Sequence, residues 1–179
     1  MNSQKYVVFL RGINVGKKRV EMAKLRSLFE SMGFVNVSTL LNSGNVVFES
    51  SRDKNEVSLQ HIEKQLEEAF GFHIDTIIRT SDEITDIVQK DPFQGIEVAK
   101  NTRFYVTFLT EKSHSTLQIP YESPEKDFKI IETTNSEVFS ILTLSDTKGT
   151  TDVMKILEKE FGTHITTRNW NTIIKISKK

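Results

Sequence analysis

The sequence predicts an α+β fold in which one βαββαβ unit occurs twice. Three pairs of segments match in the same chain order: 6–10 with 105–109, 66–74 with 157–165, and 75–79 with 171–175. Repeats that keep their order indicate a tandem duplication. What both copies share is then interpreted as scaffold, and what only one copy carries is the better candidate for function.

In the first copy, residues 6–10 are rich in β-forming side chains and predict the first strand. Apolar residues at helical spacing predict the first helix: Met22, Leu25, Leu28, Phe29 and Met32. Gly33 is a plausible end for that helix. Residues 35–41 and 46–49 flank a turn of Asn, Ser, Gly and Asn, which is typical of a β-hairpin because glycine tolerates positive φ.

Apolar residues at helical spacing between Leu59 and Phe70 predict the second helix of this copy, and Gly71 predicts its end. Residues 74–79 predict the last strand. The resulting order is that of the split, ferredoxin-like unit, an antiparallel sheet with its helices on one face. The predicted first subdomain is residues 1–80.

Between the copies, Thr80 and Glu83 form the pattern of a capping box, which predicts a short helix that ends at Asp91-Pro92. Residues 81–101 are therefore a helix and linker. The second, degenerate subdomain is residues 102–179, with strands at 104–109, 128–132, 138–144 and 172–176 and a helix near 152–161. Pro120 and Pro124 make its first crossover poor in helix.

Composition excludes several classes of protein. The chain has 179 residues, 37% of them apolar, and no cysteine, which excludes disulfides, thiol nucleophiles and cysteine-ligated metal sites. Its 24 basic and 24 acidic residues exclude an overall charge that favours nucleic acid. No signal peptide or apolar run of about 20 residues is present, so we expect a cytoplasmic protein without a membrane partner.

Topology predicts which loops meet. In a ferredoxin-like unit the first and second strands run parallel with the third between them, so their following loops emerge at the same end of the sheet, about 10 Å apart. We therefore expect residues 11–19 (the basic loop) and residues 42–45 (the hairpin turn) to be neighbours. The turn at 70–73 leaves the same end, and its counterpart in the second copy carries residues 166–170, interpreted as an insertion of five.

The basic loop is the leading candidate site. Arg11, Lys17, Lys18 and Arg19 place four cations in nine residues, and no acid lies among them. Gly12 and Gly16 allow the backbone to curl so that its amide hydrogens point inward, and Asn14 between them is a further candidate for ligand contact. A strand, a glycine loop and a helix start are the arrangement that binds anions. The spacing is not that of a Walker A loop, and the alternative is a solvated basic turn.

Two further groups are candidates. Asn42, Ser43 and Asn45 offer hydrogen bonds to the same ligand, or they serve only the tight hairpin. Arg168, Asn169 and Trp170 offer a forked cation, an amide and a stacking plane for a base or carboxylate. A lone tryptophan is alternatively a core anchor.

No catalytic residue, metal ligand or cofactor is recognised. His73 and His164 occupy matching places in the two copies and are interpreted as structural. Neither His61 nor His114 has a carboxylate or serine at catalytic or metal-ligand spacing.

Several motifs together resemble the bacterial domain-of-unknown-function family numbered 1697. They are residues 10–16, the helix entered by Met22, residues 43–48, residues 91–93 and residues 167–170. The resemblance implies an α+β protein of two subdomains from bacterial cytoplasm, and it implies no activity. Similar sequences usually carry a second glycine and an asparagine after Gly16, where this chain has three cations.

The leading functional hypothesis is a binding module for an anionic, phosphate-bearing ligand, a nucleotide or nucleic acid, at the basic loop. The second hypothesis is an enzyme that acts on a phosphorylated small molecule. In the third, these loops serve only packing between subdomains or between proteins. The sequence leaves the oligomeric state open.

Overall fold

A computed structural model describes residues 3–54, 56–110, 115, 117–145 and 152–179. This described part contains nine strands in two antiparallel sheets, together with five helices. The chain divides into two compact units, one of Met1–Asp86 with Ile176–Lys179 and the other of Ile87–Lys175. The predicted α+β class is therefore present.

The first unit contains a four-stranded sheet with the order β2-β3-β1-β4. Its elements are β1 (Gln4–Leu10), α1 (Met22–Ser31), β2 (Val35–Leu40), β3 (Asn45–Ser50), α2 (Leu59–Phe70) and β4 (Thr76–Thr80). Central strand β1 pairs antiparallel with both neighbours, so that Val8 lies opposite Val46 and Ile78. These elements follow the sequence prediction to within a few residues.

The core of the first unit lies between its sheet and the helices α1 and α2. Tyr6 and Val8 of β1 alternate toward this core, where Phe29 of α1 and Leu66 of α2 are fully buried. Val7 and its alternate neighbours on the opposite face are buried as well. Both faces of strand β1 are therefore buried. This burial explains why the strand has a continuous run of apolar residues rather than an alternation of apolar and polar residues.

Local signals end and begin the helices where the sequence indicated. Gly71 follows α2 in the left-handed conformation with a φ of 80°, which costs glycine little. Helix α3 (Ser81–Lys90) begins with the predicted capping box. The Thr80 amide donates to the Glu83 carboxylate at 2.6 Å, and the Glu83 amide donates to the Thr80 hydroxyl at 3.1 Å.

The second unit contains a five-stranded sheet with the order β6-β7-β8-β5-β9. Its elements are β5 (Thr102–Leu109), β6 (Tyr121–Glu122), β7 (Phe128–Thr133), β8 (Glu137–Thr143), α4 (Val153–Phe161), β9 (Ile165–Asn169) and α5 (Trp170–Ile176). Strand β6 was not predicted. Among the described residues between β5 and β7 there is no helix, in agreement with the expected effect of the prolines.

The prediction for the C-terminal segment is wrong. Residues 172–176 are not a strand but part of α5, and residues 166–169 are not an inserted loop but most of β9. The match between 75–79 and 171–175 is therefore not a structural one. Hydrogen bonding to β5 decides the register, and it places Arg168 opposite Val106.

In each unit the edge strand that pairs with β1 or β5 carries a buried arginine. Arg79 lies opposite Val7 in the first unit, as Arg168 lies opposite Val106 in the second, and both arginines are buried. Five residues separate α2 from β4, whereas three separate α4 from β9. The second unit thus has a shorter turn at this place, contrary to the expected insertion.

Candidate functional site

Three loops of the first unit meet at one end of its sheet. The Leu10 amide donates to the Gly44 carbonyl at 2.8 Å, which holds the start of the basic loop against the hairpin turn. The Arg11 amide donates to the Asp75 carbonyl at 2.9 Å, which holds it against the turn between α2 and β4. The predicted neighbourhood of the basic loop, the hairpin turn and the turn after α2 is confirmed.

Asn14 holds the basic loop in shape. Its side-chain Nδ2 donates to the carbonyl oxygens of Asn42 at 2.7 Å and Val20 at 3.2 Å, and its Oδ1 accepts from the Val20 amide at 3.0 Å. Its φ of 56° is left-handed, a conformation that asparagine tolerates better than most residues. Asn14 therefore has a structural role that the sequence did not reveal.

The glycines of this region differ in their surroundings. A Cβ atom placed on Gly12 or Gly16 would have no heavy atom within 4 Å from the described residues beyond its two chain neighbours, although both glycines have positive φ. A Cβ atom on Gly44 would lie 2.6 Å from Ile13 Cδ1 and 2.8 Å from Leu10 Cβ. The two loop glycines thus supply curvature, whereas Gly44 permits close contact between the loop and the turn.

The cations of the basic loop lie in different surroundings. Arg11 is 3.7 Å from the Asp75 carboxylate, and Lys18 Nζ lies 5.5 Å from the centroid of the Phe72 ring. Arg19 Nη1 donates to the Asn14 carbonyl at 3.4 Å. Lys17, Lys18 and Arg19 are exposed, so solvent and dissolved anions reach all three.

The hairpin turn uses its polar groups internally. Asn45 is fully buried, and its Nδ2 donates to the Leu40 carbonyl at 2.8 Å and to Ser43 Oγ at 3.0 Å. Asn42 contributes its carbonyl oxygen to Asn14 and is itself exposed. These bonds are the ones that the hairpin interpretation requires.

A cavity of about 510 Å³ lies where the basic loop enters α1. Asn14, Arg19, Asn42 and residues 20–23 line it. Met22 and Ala23 belong to the first turn of α1, where amide hydrogens point out of the helix. Within the described residues, Glu21 precedes this helix without a side-chain capping bond.

A chain of charged groups borders the basic loop. His73 Nε2 is 3.1 Å from the Asp75 carboxylate, and its Nδ1 is 3.4 Å from Glu67. The hydrogen bond with Asp75 raises the pKa of His73; its slight burial opposes this, and Glu67 raises it further. No pattern in the sequence marks Asp75, which lies in the predicted strand 74–79 directly after the predicted turn at 70–73.

The remaining candidates, Arg168, Asn169 and Trp170, belong to the second unit. Arg168 Nη1 donates to Thr166 Oγ1 at 2.7 Å and to the Thr167 carbonyl at 2.9 Å. Burial lowers the pKa of Arg168 to about 10. The Asn169 Oδ1 atom accepts a hydrogen bond from the Asn171 amide at 3.0 Å. The side-chain NH2 group of Asn169 takes no part in this bond.

Trp170 packs within the second unit. Its ring centroid lies 5.2 Å from that of Phe93 at an interplanar angle of 64°, and the residue is 7% exposed. Phe93 also stacks on Phe104. The tryptophan is thus an anchor of an aromatic cluster. Phe104 also belongs to this cluster, although it was predicted only as the start of a strand.

Residues 3–139 match the family described as "Protein of unknown function (DUF1697)". The chain belongs to this family. The matched region includes the basic loop, the hairpin turn and Phe93, but it ends before Arg168. No curated protein matches this DUF1697 chain.

A solved structure has the same fold as this DUF1697 chain. It is described as the structure of conserved bacterial protein SP0830 from Streptococcus pneumoniae, and it matches with a TM-score of 0.74 at 24% sequence identity. The match covers 99% of this chain and 98% of that protein. In the described residues of the DUF1697 chain, no helix has the length and apolar character to cross a membrane.

Proposed function

We propose that the protein is a binding module for an anionic, phosphate-bearing ligand, a nucleotide or nucleic acid, at the basic loop. The observation that carries the proposal is the cavity of about 510 Å³ that Arg19, Asn14 and the start of α1 line together. The guanidinium of Arg19 and the amides at the start of α1 are two kinds of donor to phosphate oxygens. Asn14 shapes the wall, because its side-chain N–H groups are bonded to Val20 and Asn42.

The start of α1 supports an anion at this place. The first bond of the α-helical type runs from the Leu25 amide to the Glu21 carbonyl at 2.9 Å, so the amides of residues 22–24 precede it. Such amides and the helix dipole give this end a partial positive charge. The Glu21 carboxylate also lines the cavity and opposes an anion, so the loop cations have to outweigh it.

The exposed cations supply this excess. Lys17, Lys18 and Arg19 follow one another at the end of the basic loop, whereas the chain as a whole carries a formal net charge of +0. A local cluster of cations attracts anions to its own surroundings even when the protein has no net charge. Arg11 contributes less because it lies beside Asp75.

The enzyme hypothesis has less support than the binding hypothesis. Histidine is the residue that most often serves as a general base. Here the two ring nitrogens of His73 face Asp75 and Glu67, an arrangement that favours the charged imidazolium and removes its basic nitrogen.

The hypothesis that these loops serve only packing has support at two residues. The side chains of Asn14 and Asn45 form hydrogen bonds within the first unit. These two residues stabilise the loops. In the proposal, ligand contact comes from Lys17, Lys18, Arg19 and the start of α1, with Asn42 and Ser43 exposed at the border.

The proposal includes an origin by duplication of a ferredoxin-like unit, with subdomains at 1–80 and 102–179 and a helix and linker at 81–101. The equal order of the four strands β2-β3-β1-β4 and β7-β8-β5-β9 supports it. The buried arginines at matching register positions, Arg79 and Arg168, support it further. We propose the cytoplasm as its compartment.

Thermal unfolding tests the binding proposal. The wild type is heated with ATP, ribose 5-phosphate, inorganic phosphate, or a short single-stranded RNA or DNA. A ligand at about 100 times its dissociation constant adds roughly 2.7 kcal/mol to the free energy of unfolding, a shift of several degrees. We expect a shift with at least one of these ligands.

Matched variants locate the site. Replacing Lys17, Lys18 and Arg19 by glutamine removes three charges from the loop, and replacing Arg26, Lys64 and Lys155 removes three exposed charges elsewhere. We expect the first variant to lose the ligand-dependent shift and the second to keep it. Equal shifts in both variants, or no shift with any ligand in the wild type, would contradict the proposal.

A further inference from the structure

The second unit contains a cavity of about 650 Å³ that shares no lining residue with the cavity beside the basic loop. Residues of the segment 91–104 and the first residues of α5 line it, and Phe93, Phe104 and Trp170 form its aromatic wall. We call it the aromatic cavity. Its volume is within the range of about 300–1,000 Å³ that is typical of small-molecule sites.

The aromatic wall presents the ring of Phe104. The rings of Phe93 and Phe104 are parallel within 1°, with centroids 4.6 Å apart. Phe93 is 4% exposed, whereas Phe104 is half-buried. Phe93 covers one face of the Phe104 ring, and Phe104 keeps part of its surface accessible beside the cavity, where a planar ligand can stack.

Cations lie beside this ring. Lys100 and Arg103 line the aromatic cavity together with one acidic residue, Asp91, so these three side chains have a net positive charge. Arg103 Nη1 donates to the carbonyl oxygens of Lys100 at 2.8 Å and Thr102 at 2.9 Å. These two bonds fix the guanidinium, which carries three further N–H donors.

Amide groups complete the wall. Asn169 at the end of β9 and Asn171 in the first turn of α5 line the cavity. The Asn169 side-chain oxygen accepts from the Asn171 amide, so the side-chain NH2 of Asn169 remains as a donor in addition to that bond. The ring of Phe104, the guanidinium of Arg103 and the side-chain amide of Asn169 thus all border the aromatic cavity.

We propose that the aromatic cavity binds a small planar aromatic ligand that carries an anionic group. The ring stacks on Phe104, and the anionic group pairs with Arg103. A purely apolar ligand leaves the cations without a partner, and a non-aromatic anion leaves the Phe104 ring uncovered. We therefore expect tight binding only of a ligand that has both an aromatic ring and an anionic group.

The single tryptophan of the chain makes the test direct. Trp170 lines the cavity, and one tryptophan gives one indole N–H resonance in a ¹H–¹⁵N NMR spectrum. Three probes separate the requirements: 2-naphthoate has ring and charge, 2-naphthol has the ring without charge, and cyclohexanecarboxylate has the charge without an aromatic ring. We expect saturable movement of the Trp170 resonance with 2-naphthoate, and at least about tenfold weaker binding of the other two.

Variants assign the two interactions. Phe104→Leu removes the ring and keeps an apolar side chain, and Arg103→Gln removes the charge; each is expected to weaken 2-naphthoate binding about tenfold. The controls Phe72→Leu and Arg26→Gln make the same changes in the first unit and should bind as the wild type does. Phe104→Tyr keeps an aromatic ring and should retain binding. If Phe104→Leu does not fold, Phe104→Tyr is measured in its place, and the expected loss of binding is then tested with Arg103→Gln alone.

Three results would overturn the proposal. They are no saturable binding of 2-naphthoate, equal binding of all three probes, and unchanged affinity in Arg103→Gln. Failure of the basic-loop proposal would not change this expectation, because the two cavities share no lining residue.

Discussion

The side chain of Asn14 donates a hydrogen bond to the carbonyl oxygen of Asn42, 28 residues away, with 2.7 Å between nitrogen and oxygen. This bond joins the basic loop to the hairpin turn. With the two bonds between Asn14 and Val20, it fixes the path of the chain from β1 into α1. The shape of the candidate anion site therefore depends on a residue whose side chain is engaged with protein.

Asn14→Ala should destabilise the protein. The substitution removes three hydrogen bonds, each with a net contribution of about 1 kcal/mol, and places alanine in a left-handed conformation. We expect the free energy of unfolding to fall by roughly 2–4 kcal/mol, measured by urea denaturation. Asn14→Gly keeps the backbone conformation and should lose about 1 kcal/mol less. An unchanged midpoint in both variants would exclude this role of Asn14.

Gly44→Ala should be more harmful than Gly12→Ala. Both glycines have positive φ, but only at Gly44 does the new Cβ atom meet other atoms, at 2.6 Å from Ile13 and 2.8 Å from Leu10. We expect losses of roughly 2–4 kcal/mol for Gly44→Ala and about 1 kcal/mol for Gly12→Ala. Urea denaturation of both variants gives the comparison, and equal losses would show that the close contact has no energetic weight.

Thr80→Ala should weaken the start of α3. The threonine hydroxyl accepts from the Glu83 amide at 3.1 Å, and its loss leaves that amide without its capping acceptor. We expect a decrease of about 1 kcal/mol in the free energy of unfolding. Thr80→Ser keeps a hydroxyl and serves as control. If Thr80→Ser is as unstable as Thr80→Ala, the effect comes from the lost methyl group rather than from the cap.

The stability contribution of His73 should depend on pH. The pKa of His73 is raised above 6.5, first by the hydrogen bond with Asp75. A raised pKa in the folded state means that this contribution is complete below 6.5 and is lost as the pH rises through the folded-state pKa. We therefore expect His73→Gln to lower the urea midpoint more at about pH 5.5 than at about pH 8.5.

The control for this experiment is His61→Gln, which changes an exposed histidine on α2. It should show less difference between the two pH values than His73→Gln does. The reverse order, with the larger pH effect at His61, would contradict the assigned network of His73, Asp75 and Glu67.

Much of the first unit could be predicted because its signals are local. Gly71 ends α2, Thr80 and Glu83 begin α3, and Gly44 turns the hairpin, each through a conformation or a bond within a few residues. The meeting of the basic loop and the hairpin turn was also predictable, since strand order fixes where loops emerge. The bonds of Asn14 were not predictable, because they join residues whose separation in the chain carries no pattern.

The second unit shows the limit of local similarity. Residues 171–175 resemble residues 75–79 in sequence, yet one segment is helical and the other lies largely in a strand. Strand β4 is the edge strand beside β1, and the edge strand beside β5 is β9, which pairs with it through Ile165–Asn169. Short apolar runs fit either structure, and pairing with a neighbouring strand decides between them.

The amino-acid sequence by itself determined the α+β class, most element bounds, the family and the presence of a cationic loop, because periodicity, capping residues and charge are local properties. Only the tertiary structure decided which cations are exposed, that Arg168 is buried and that Trp170 borders a cavity with Phe104. These properties depend on which distant side chains pack together. Which side chains are buried and which groups they bond to is determined only once the strands are paired in their register.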